Sequence, residues 1–482
     1  MRTPDGIPLI LIIGGGYAGA ALIIRMLETC RQPLHVVIAE PRAELGRGEA
    51  YSTSENAQLM NGPAGNFSIH PQNLSHLAEW VERTGHDTGI QIPPEGAANL
   101  FISRNVFGRY VGEELQRAID RAGAGTHVSH WRSDVVRLRR DNDGTLKAEF
   151  SDGRHLRANT AVLATGVFPL AEDPALAPLA GDWRLAKPWQ SDRLDRLSRL
   201  QDILIVGASL SMVDTVASLE TRGYRGRYHV ISRRGHLIQA VRPAGEPVPI
   251  LDPDALPRTT RELLATVIRT RRKLLSEDRD WQVVPLSLRP FILPLWLGAS
   301  TAERLRFTRH LRALWDVTAH RAAPPSYARI EAAKAEGRFS AGAARLVSAE
   351  RAGDLVRVIV RPRGERQTRE VLVDAIVDAR GHQEHDWSRI KAPLVKDLLS
   401  TGIVRRHETG FGIDAAADGA VIGMDGAMHR DLFAIGHPLR GVAWESSSLT
   451  ELRAQAAALA ERLSKVMNAS KVIQLREFET LA

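Results

Sequence analysis

The sequence predicts an α/β fold with two doubly wound domains and a helical insertion. Within residues 9–39, an apolar run, a glycine-rich turn and a helical pattern lead to a second apolar run. The same order recurs within residues 202–232, and each unit is followed by a hairpin and a strand that ends at a glycine. Strand–helix–strand units place their strands in parallel, so each repeat indicates a parallel sheet.

The two units can be followed element by element. The first has the strand LILII (9–13), the helical spacing of ALIIRML (21–27) and the strand LHVVIA (34–39). The second has the strand DILIV (202–206), a helix that runs to about Arg222, and the strand RYHVIS (227–232). Apolar runs of this length with a helical period between them predict two Rossmann-like βαβ units.

Each unit is followed by a similar pattern. A hairpin at 146–154 leads to the strand AVLATG (161–166), and residues 356–374 lead in the same way to AIVDARG (375–381). Such strands can carry the chain from one domain to the other. We therefore assign residues 1–170 and 386–482 to a first nucleotide-binding domain, and we divide the remainder into a second such domain (190–252 and 343–385) and a helical insertion (253–342).

Composition excludes several classes of protein. The 64 basic and 56 acidic residues give a formal charge of +8 and are mixed along the chain, so nucleic-acid binding is not expected. Cys30 is the one cysteine, which excludes an intrachain disulfide and any relay of paired thiols. The uncharged stretch 7–24 is interrupted by glycines, so we expect no membrane span and a cytoplasmic protein.

The first turn has the pattern of a dinucleotide-binding site. Gly14, Gly16 and Gly19 form GxGxxG between a strand and a helix, and Glu40 ends the second strand. In this pattern the glycines permit the turn, the approach of the pyrophosphate and close helix packing. The carboxylate of Glu40 can accept hydrogen bonds from a ribose and would repel a 2′-phosphate.

The second turn keeps only Gly207 of the three glycines, with Ser209 and Met212 in the other two places. At the end of its second strand, Ser232, Arg233 and Arg234 take the place of Glu40. Arginine binds phosphate with two parallel hydrogen bonds, so this unit favours NADPH and the first unit favours FAD. A solvated strand end is the alternative for the two arginines. The loss of two glycines predicts an exchangeable NADPH beside a tightly held FAD.

Several segments resemble those of bacterial FAD/NAD(P)-binding oxidoreductases, which are distantly related to flavin-containing and N-hydroxylating monooxygenases. The similar segments cover nearly the whole chain: GRGEAYS (46–52), LMNGPA (59–64), NVFGRY (105–110), SRRG (232–235), IGHPLRG (435–441) and WESSS (444–448). The resemblance implies FAD contacts beyond the glycines and Glu40. We assign these to Arg47, Asn61, Val135, Thr165, Gly166, Gly436, Ser447 and Ser448.

The resulting prediction is an FAD-dependent NAD(P)H oxidoreductase in which NADPH reduces the flavin. The resemblance and the missing thiol pair favour a monooxygenase that hydroxylates a small molecule with O2 through a flavin hydroperoxide, and amine N-hydroxylation is one concrete reaction of this kind. The alternatives are an oxygen-independent reductase or dehydrogenase and a nucleotide-sensing flavin-binding protein. No side chain is assigned as catalytic, because the reacting atoms belong to the cofactors. A homodimer stays open.

Other conspicuous residues have simpler explanations. His70, His310, His320 and His437 lack a metal-ligand spacing, so we expect no metal site. For Asp214, capping or solvating the helix is favoured over a buried position near the flavin. Core packing is favoured over a substrate pocket for Trp281, Trp296 and Trp315.

Overall fold

A computed structural model describes residues 7–243, 245–381 and 384–479. Its sixteen strands are β1 (Leu9–Ile13), β2 (His35–Ala39), β3 (His127–Trp131), β4 (Val135–Arg140), β5 (Leu146–Phe150), β6 (His155–Ala158), β7 (Thr160–Leu163), β8 (Leu185–Ala186), β9 (Asp202–Val206), β10 (Arg227–Ser232), β11 (Phe339–Ala352), β12 (Leu355–Pro362), β13 (Arg369–Val373), β14 (Ala375–Asp378), β15 (Ala420–Ile422) and β16 (Met428–Ala434).

The thirteen α-helices include six in the region between β10 and β11. They are α1 (Tyr17–Thr29), α2 (His76–Thr88), α3 (Arg104–Asp120), α4 (Ser191–Leu197), α5 (Leu210–Thr221), α6 (Thr260–Ser276), α7 (Val283–Leu288), α8 (Ile292–Gly298), α9 (Thr301–His310), α10 (Arg312–Ala319), α11 (Pro324–Ala335), α12 (Pro393–Ser400) and α13 (Leu449–Glu479).

The first sheet has the strand order β15-β16-β7-β1-β2-β3. All neighbouring pairs are parallel except β15 and β16 at one edge. Residues of β1 alternate between two apolar cores, with Ile10 and Ile12 on one face and Leu11 and Ile13 on the other. A strand buried on both faces reads as a continuous apolar run, which is why LILII is diagnostic.

The second sheet has the order β13-β12-β11-β10-β9-β14-β8. Its central strand β9 lies between β10 and β14, as β1 lies between β2 and β7. The fold is therefore the predicted α/β fold of flavoproteins that bind two dinucleotides.

The hairpins that follow the two units differ in how they connect to the main sheets. After the first unit, β3 ends at Trp131 and a separate sheet of β4, β5 and β6 begins at Val135. After the second unit, the single strand β11 pairs with β10 over its first residues and with β12 over the remainder. The second hairpin is thus joined to the main sheet.

The helical region between the units has only a small core of its own, formed by Ile250, Leu274, Val283, Val284 and Leu288. Its last helix, α11, packs into the core of the second unit through Ile330 and Ala333. Strand β11 begins at Phe339, inside the range 253–342 assigned to the insertion. The helical region ends before Phe339 because Phe339 pairs with Tyr228 near the start of β10.

Two segments connect the sheets, and they run side by side. One follows β7 and the other follows β14, and Phe168 pairs with Glu384 in an isolated antiparallel bridge. Both sheets therefore meet at the ends where β7 and β14 stop. Along the described part of the chain, no helix is both long and apolar enough to cross a bilayer.

Replacing Gly207 with alanine is expected to destabilise the protein more than replacing Gly144. Both glycines have positive φ, +122° and +83°. A non-glycine residue in such a conformation costs about 1–3 kcal/mol. Only at Gly207 would the new Cβ also overlap a backbone atom, the carbonyl oxygen of Ala379, whereas nothing lies near Gly144. Urea unfolding measures both losses, and equal losses would contradict the importance of this close approach.

Candidate functional site

A cavity of about 2680 Å³ lies at the carboxyl ends of the parallel strands of both sheets. This is where open α/β sheets bind their ligands. Both predicted nucleotide turns line it. The predicted cofactor residues along its wall are Gly14, Gly16, Glu40, Arg47, Asn61, Thr165, Gly166, Gly207, Ser209, Ser232, Arg233, Arg234, Ser447 and Ser448.

The first turn is closely packed around its glycines. Gly14 has φ +109°, and a Cβ there would overlap the carbonyl oxygen of Ala164 at the end of β7. A Cβ on Gly19 would overlap the carbonyl oxygen of Gly14, so Gly19 serves helix packing behind the cavity wall. A Cβ on Gly16 would lie 3.1 Å from the Cα of Gly48. Larger residues at Gly14 and Gly16 would push the turn away from Ala164 and Gly48.

Glu40 fixes the turn from the other side. It is buried, and its Oε2 accepts a hydrogen bond of 3.0 Å from the Gly15 backbone N–H. Its Oε1 accepts bonds from the backbone N–H and the Nη1 of Arg42, at 3.1 and 3.2 Å. A carboxylate has about four acceptor positions, so capacity for a ribose hydroxyl remains. Glu40 therefore supports the turn and faces the cavity.

The two helices that begin at these turns lack side-chain caps. Helix α1 follows Gly16 and α5 follows Ser209, and neither has a capping side chain or an acidic residue in its first turn. By contrast, Ser103 caps α3 and Ser300 caps α9. Free N–H groups and the positive end of the helix dipole favour an anion. Both turns therefore fit the pyrophosphate of a dinucleotide.

The second turn repeats the first at one position and differs at another. Gly207 has φ +122°, and its Cβ would overlap the carbonyl oxygen of Ala379 at the end of β14, as at Gly14. Met212 takes the place of Gly19, and its side chain is fully buried in the core of the second unit. Packing at this helix thus uses a large side chain rather than a close backbone contact.

The two arginines after β10 have different surroundings. Arg234 donates hydrogen bonds to the backbone carbonyls of Arg309 and His310, at 2.7 and 2.9 Å. Arg233 is exposed on the cavity wall and has no hydrogen-bond or ion-pair partner in the described residues. The hydroxyl of Ser232 accepts a bond from the Gly235 N–H. Arg233 is therefore the residue of this trio that is available to a ligand.

Other predicted residues differ in where the structure places them. Arg47 is held by Asn105 at 2.6 Å and by Glu44 at 2.9 Å. The buried hydroxyl of Thr165 has no hydrogen-bonding partner among the described residues, although Thr165 lies on the cavity wall. Val135 packs into the core beside the first sheet, and the N–H of Gly436 bonds to Gln455. Gly19, Val135 and Gly436 do not line the cavity.

The start of α13 also borders the cavity. The hydroxyl of Ser448 accepts a bond of 3.3 Å from the Glu451 N–H, so it caps this helix. Arg289 donates a bond of 2.9 Å to the hydroxyl of Thr450. Burial raises the pKa of Glu451. This helix end, unlike those of α1 and α5, already has side-chain partners.

Buried ion pairs join the second unit to residues of the first domain. Arg222 donates two bonds of 2.7 Å to the carboxylate of Glu55, which is buried. Arg104 lies 2.9 Å from the carboxylate of Asp214 on α5. Burial raises the pKa of Asp214, and the charge of Arg104 opposes that effect. Asp214 is thus a buried ion-pair partner, whereas the sequence favoured a capping or solvated role.

A further part of the cavity wall combines two arginines and two histidines. It consists of Arg312 on α10, His385 after β14, and His437 and Arg440 after β16. Burial lowers the pKa of both histidines, with a further effect of Arg440, and that of His437 falls to about 3. Sequence reasoning missed His385, Arg312 and Arg440 as site residues. The segment IGHPLRG (435–441), which contributes to the family resemblance, contains Arg440 and was the one sequence signal for this group.

The tryptophans of the helical region divide between the two roles left open. Trp296 is buried, and its ring centre lies 5.0 Å from that of Trp444, with the ring planes 35° apart. Its indole N–H donates a hydrogen bond to the carbonyl of Gly441. Trp315 lines the cavity and donates a bond of 2.7 Å to Glu445. Trp296 is therefore a core residue, whereas Trp315 is part of the cavity wall.

Outside the cavity, His70 lies between two carboxylates. Its Nε2 is 3.1 Å from Glu114 and its Nδ1 is 3.4 Å from Glu28. Burial by itself would lower the pKa of His70, but the hydrogen bonds to Glu114 and Glu28 raise it to about 9. His76 approaches the same oxygen of Glu114 at 3.9 Å. The predicted absence of a metal site stays a prediction.

Comparison with known proteins agrees with this geometry. Residues 11–168 match the family model described as FAD-NAD(P)-binding, which identifies an FAD/NAD(P)-binding domain in this segment. A search of curated protein sequences gives no match.

Solved structures of similar fold cover nearly the whole chain. They include ornithine N-hydroxylase from Kutzneria sp. 744 (15% identity, TM-score 0.63, 96% of this chain and 99% of that one). L-lysine 6-monooxygenase from Pseudomonas syringae has 17% identity and a TM-score of 0.62, with 95% and 99% covered. Bacillithiol disulfide reductase from Bacillus cereus has 13% identity and a TM-score of 0.50, with 95% and 99% covered. At these identities the comparison establishes the fold.

The raised pKa of His70 predicts a pH dependence of stability. Its folded pKa of about 9 exceeds the ordinary value of 6.5. Stability from the protonated form is therefore fully present below about pH 6.5 and is lost as the pH rises through about 9. Urea unfolding between these limits, with EDTA present, should show a larger loss for the wild type than for His70→Gln. Parallel pH profiles of the two proteins would contradict the ion-pair assignment.

Proposed function

We propose that the protein is an FAD-dependent, NADPH-using monooxygenase that acts on a small molecule in the cytoplasm. The observation that carries the proposal is the single cavity that both nucleotide turns line. Two dinucleotides that share one cavity can bring their redox rings together, whereas two separate pockets would keep them apart. Amine N-hydroxylation is the concrete reaction we favour.

FAD is assigned to the first unit. The uncapped N-terminus of α1 and the glycine turn would hold its pyrophosphate, and Glu40 would accept bonds from its ribose. Thr165 supports this assignment because its buried hydroxyl, on the cavity wall, finds no partner within residues 7–243, 245–381 and 384–479. When bound, FAD supplies hydride acceptance from NADPH and the activation of O2. The chain's own residues bind, orient and enclose it.

NADPH is assigned to the second unit. The N-terminus of α5 would bind its pyrophosphate, and Arg233 would bind its 2′-phosphate. Met212 occupies the place of the third glycine, so this turn lacks the close helix packing found at Gly19. We infer that NADPH exchanges while FAD stays bound.

Two observations favour a monooxygenase over a reductase. The structures described as an ornithine N-hydroxylase and a lysine 6-monooxygenase have higher TM-scores, 0.63 and 0.62, than the disulfide reductase at 0.50. Dithiol chemistry needs two cysteines, and the chain has only Cys30, which ends α1. An oxygen-independent reductase of another acceptor is the second candidate, because the same cavity would serve hydride transfer alone.

Oxygen dependence separates these functions. We expect NADPH to bleach the flavin absorbance of the purified protein without oxygen, and candidate amines to be hydroxylated only after O2 is admitted. Mass spectrometry detects the hydroxylated product, and the loss of NADPH absorbance measures the coenzyme consumed. Equal substrate turnover under anaerobic conditions would identify a reductase. A flavin spectrum that NADPH leaves unchanged would instead indicate a nucleotide-sensing protein.

Replacing Arg233 with serine should weaken the use of NADPH specifically. A hydrogen bond to a charged group contributes about 1.5–3 kcal/mol, so KM for NADPH should rise about tenfold or more. KM for NADH should stay the same, because NADH has no 2′-phosphate. Initial rates of flavin reduction measure both. Arg225→Ser is the control, since Arg225 is exposed and pairs with Glu220 outside the cavity. Equal changes for the two coenzymes would contradict the assignment.

A further inference from the structure

The cavity wall formed by Arg312, His385, His437 and Arg440 has no assigned ligand, and we call it the arginine–histidine wall. Its residues come from three separate parts of the chain: helix α10, the segment after β14 and the segment after β16. The last two segments follow strands of different sheets. The wall therefore lies where both sheets and the helical region meet.

Arg440 is a buried cation without a hydrogen-bonding partner. Its residue is 7% exposed, and its Nε is buried with no bond to any described residue. The nearest carboxylate oxygen, Oδ1 of Asp316, lies 4.0 Å from its Nη2. Its guanidinium lies 4.8 Å from the centre of the Trp444 ring. A guanidinium has five N–H donors, and leaving them unsatisfied in a buried place is costly.

Arg312 adds a second positive charge to the same wall. Its Nε lies 3.4 Å from Asp316, and its guanidinium lies 5.0 Å from the centre of the Phe411 ring. Burial lowers the pKa of both arginines, and the charge of Arg312 lowers that of Arg440 further, although arginine stays charged. The single negative charge of Asp316 thus lies near two positively charged arginines.

The histidines add hydrogen-bonding capacity without charge. The rings of His385 and His437 lie parallel, with centres 5.4 Å apart. The Nδ1 of His385 and the Nε2 of His437 are buried and have no hydrogen-bonding partner in the part of the chain that the structure describes. Because both imidazoles are neutral, each offers one donor and one acceptor. The wall therefore has spare hydrogen-bonding groups beside the two arginines.

The other nearby acids are committed elsewhere. Glu384 accepts bonds of 3.1 Å from the backbone N–H groups of His385 and Asp386. Glu445 accepts the bond from Trp315 and lies 4.0 Å from His320. Neither carboxylate has a hydrogen bond or ion pair with Arg312 or Arg440 in the described residues. The charge of Glu384 acts on Arg312 and that of Glu445 acts on Arg440, but neither forms a hydrogen bond there, so the two guanidinium groups keep donors for an anion from outside the chain.

We infer that the arginine–histidine wall binds a carboxylate of the substrate. This inference rests on the proposed function and narrows it to a small carboxylic acid. A planar carboxylate matches the paired donors of a guanidinium, and the rings of Phe411 and Trp444 lie against the guanidinium groups of Arg312 and Arg440. The phosphates of NADPH are the other source of an anion in this cavity. Arg233, whose charge acts on Arg312, is the residue that we assign to one of them.

Binding can be measured without turnover. We expect succinate and butanoate, but not 1,4-diaminobutane, to bind the FAD-loaded protein in isothermal titration. Binding should persist in saturating NADP⁺, which separates a substrate site from a dinucleotide phosphate site. Loss of carboxylate binding when NADP⁺ is present, or equal binding of the diamine, would overturn the inference.

Variants locate the site. Arg440→Met should weaken succinate binding about tenfold or more, as loss of a charged hydrogen bond predicts, while the affinity for NADP⁺ stays the same. Arg306→Met is the matched control, because Arg306 on α9 pairs with Glu303 and does not line the cavity. Should Arg440→Met fail to fold, Arg312→Met carries the same expectation.

These outcomes are independent of the oxygen test. A protein that binds succinate through Arg440 but turns over its substrate without oxygen would retain the carboxylate site and lose the monooxygenase assignment. A protein that requires oxygen but binds succinate equally well as Arg440→Met would retain the monooxygenase assignment and lose the carboxylate site.

Discussion

The structure depends on one close approach that occurs twice. The turn after β1 passes the end of β7, and the turn after β9 passes the end of β14, so a side chain at Gly14 or Gly207 would overlap a strand carbonyl. The residues just past those carbonyls carry the chain from one sheet to the other. Each nucleotide turn is therefore packed directly against a connection between the sheets, and both turns face the same cavity.

Buried charge adds a second constraint on the arrangement of the two units. The pairs Arg222–Glu55 and Arg104–Asp214 place carboxylates that are nearly inaccessible to solvent against single arginines. Desolvation offsets much of the attraction in such pairs, but a relative shift of the units would leave a charge buried and unpaired. Their main effect is thus to favour one relative placement of α5 and the first domain.

The parts of the fold that depend on local patterns could be predicted from sequence. The βαβ units could be recognised because LILII and DILIV are buried on both faces and are followed by a glycine with positive φ. The start of β11 at Phe339 could not, because its pairing with Tyr228 joins distant residues. The same holds for His385 and Arg440, which approach each other only after both sheets form. Spacing cannot reveal groups that tertiary packing brings together.

The wall of the shared cavity carries different charges in different places, and each place favours a different ligand. Glu40 at the first turn would repel a 2′-phosphate, whereas Arg233 at the second turn has no partner among the described residues and would attract one. If the two dinucleotides exchanged places, a phosphate would face a buried carboxylate and Arg233 would lose its ligand. The third region, around Arg440, is positive, and the ring of Trp444 lies against the Arg440 guanidinium. The three proposed ligands can therefore share one cavity, because each is assigned to different residues of its wall.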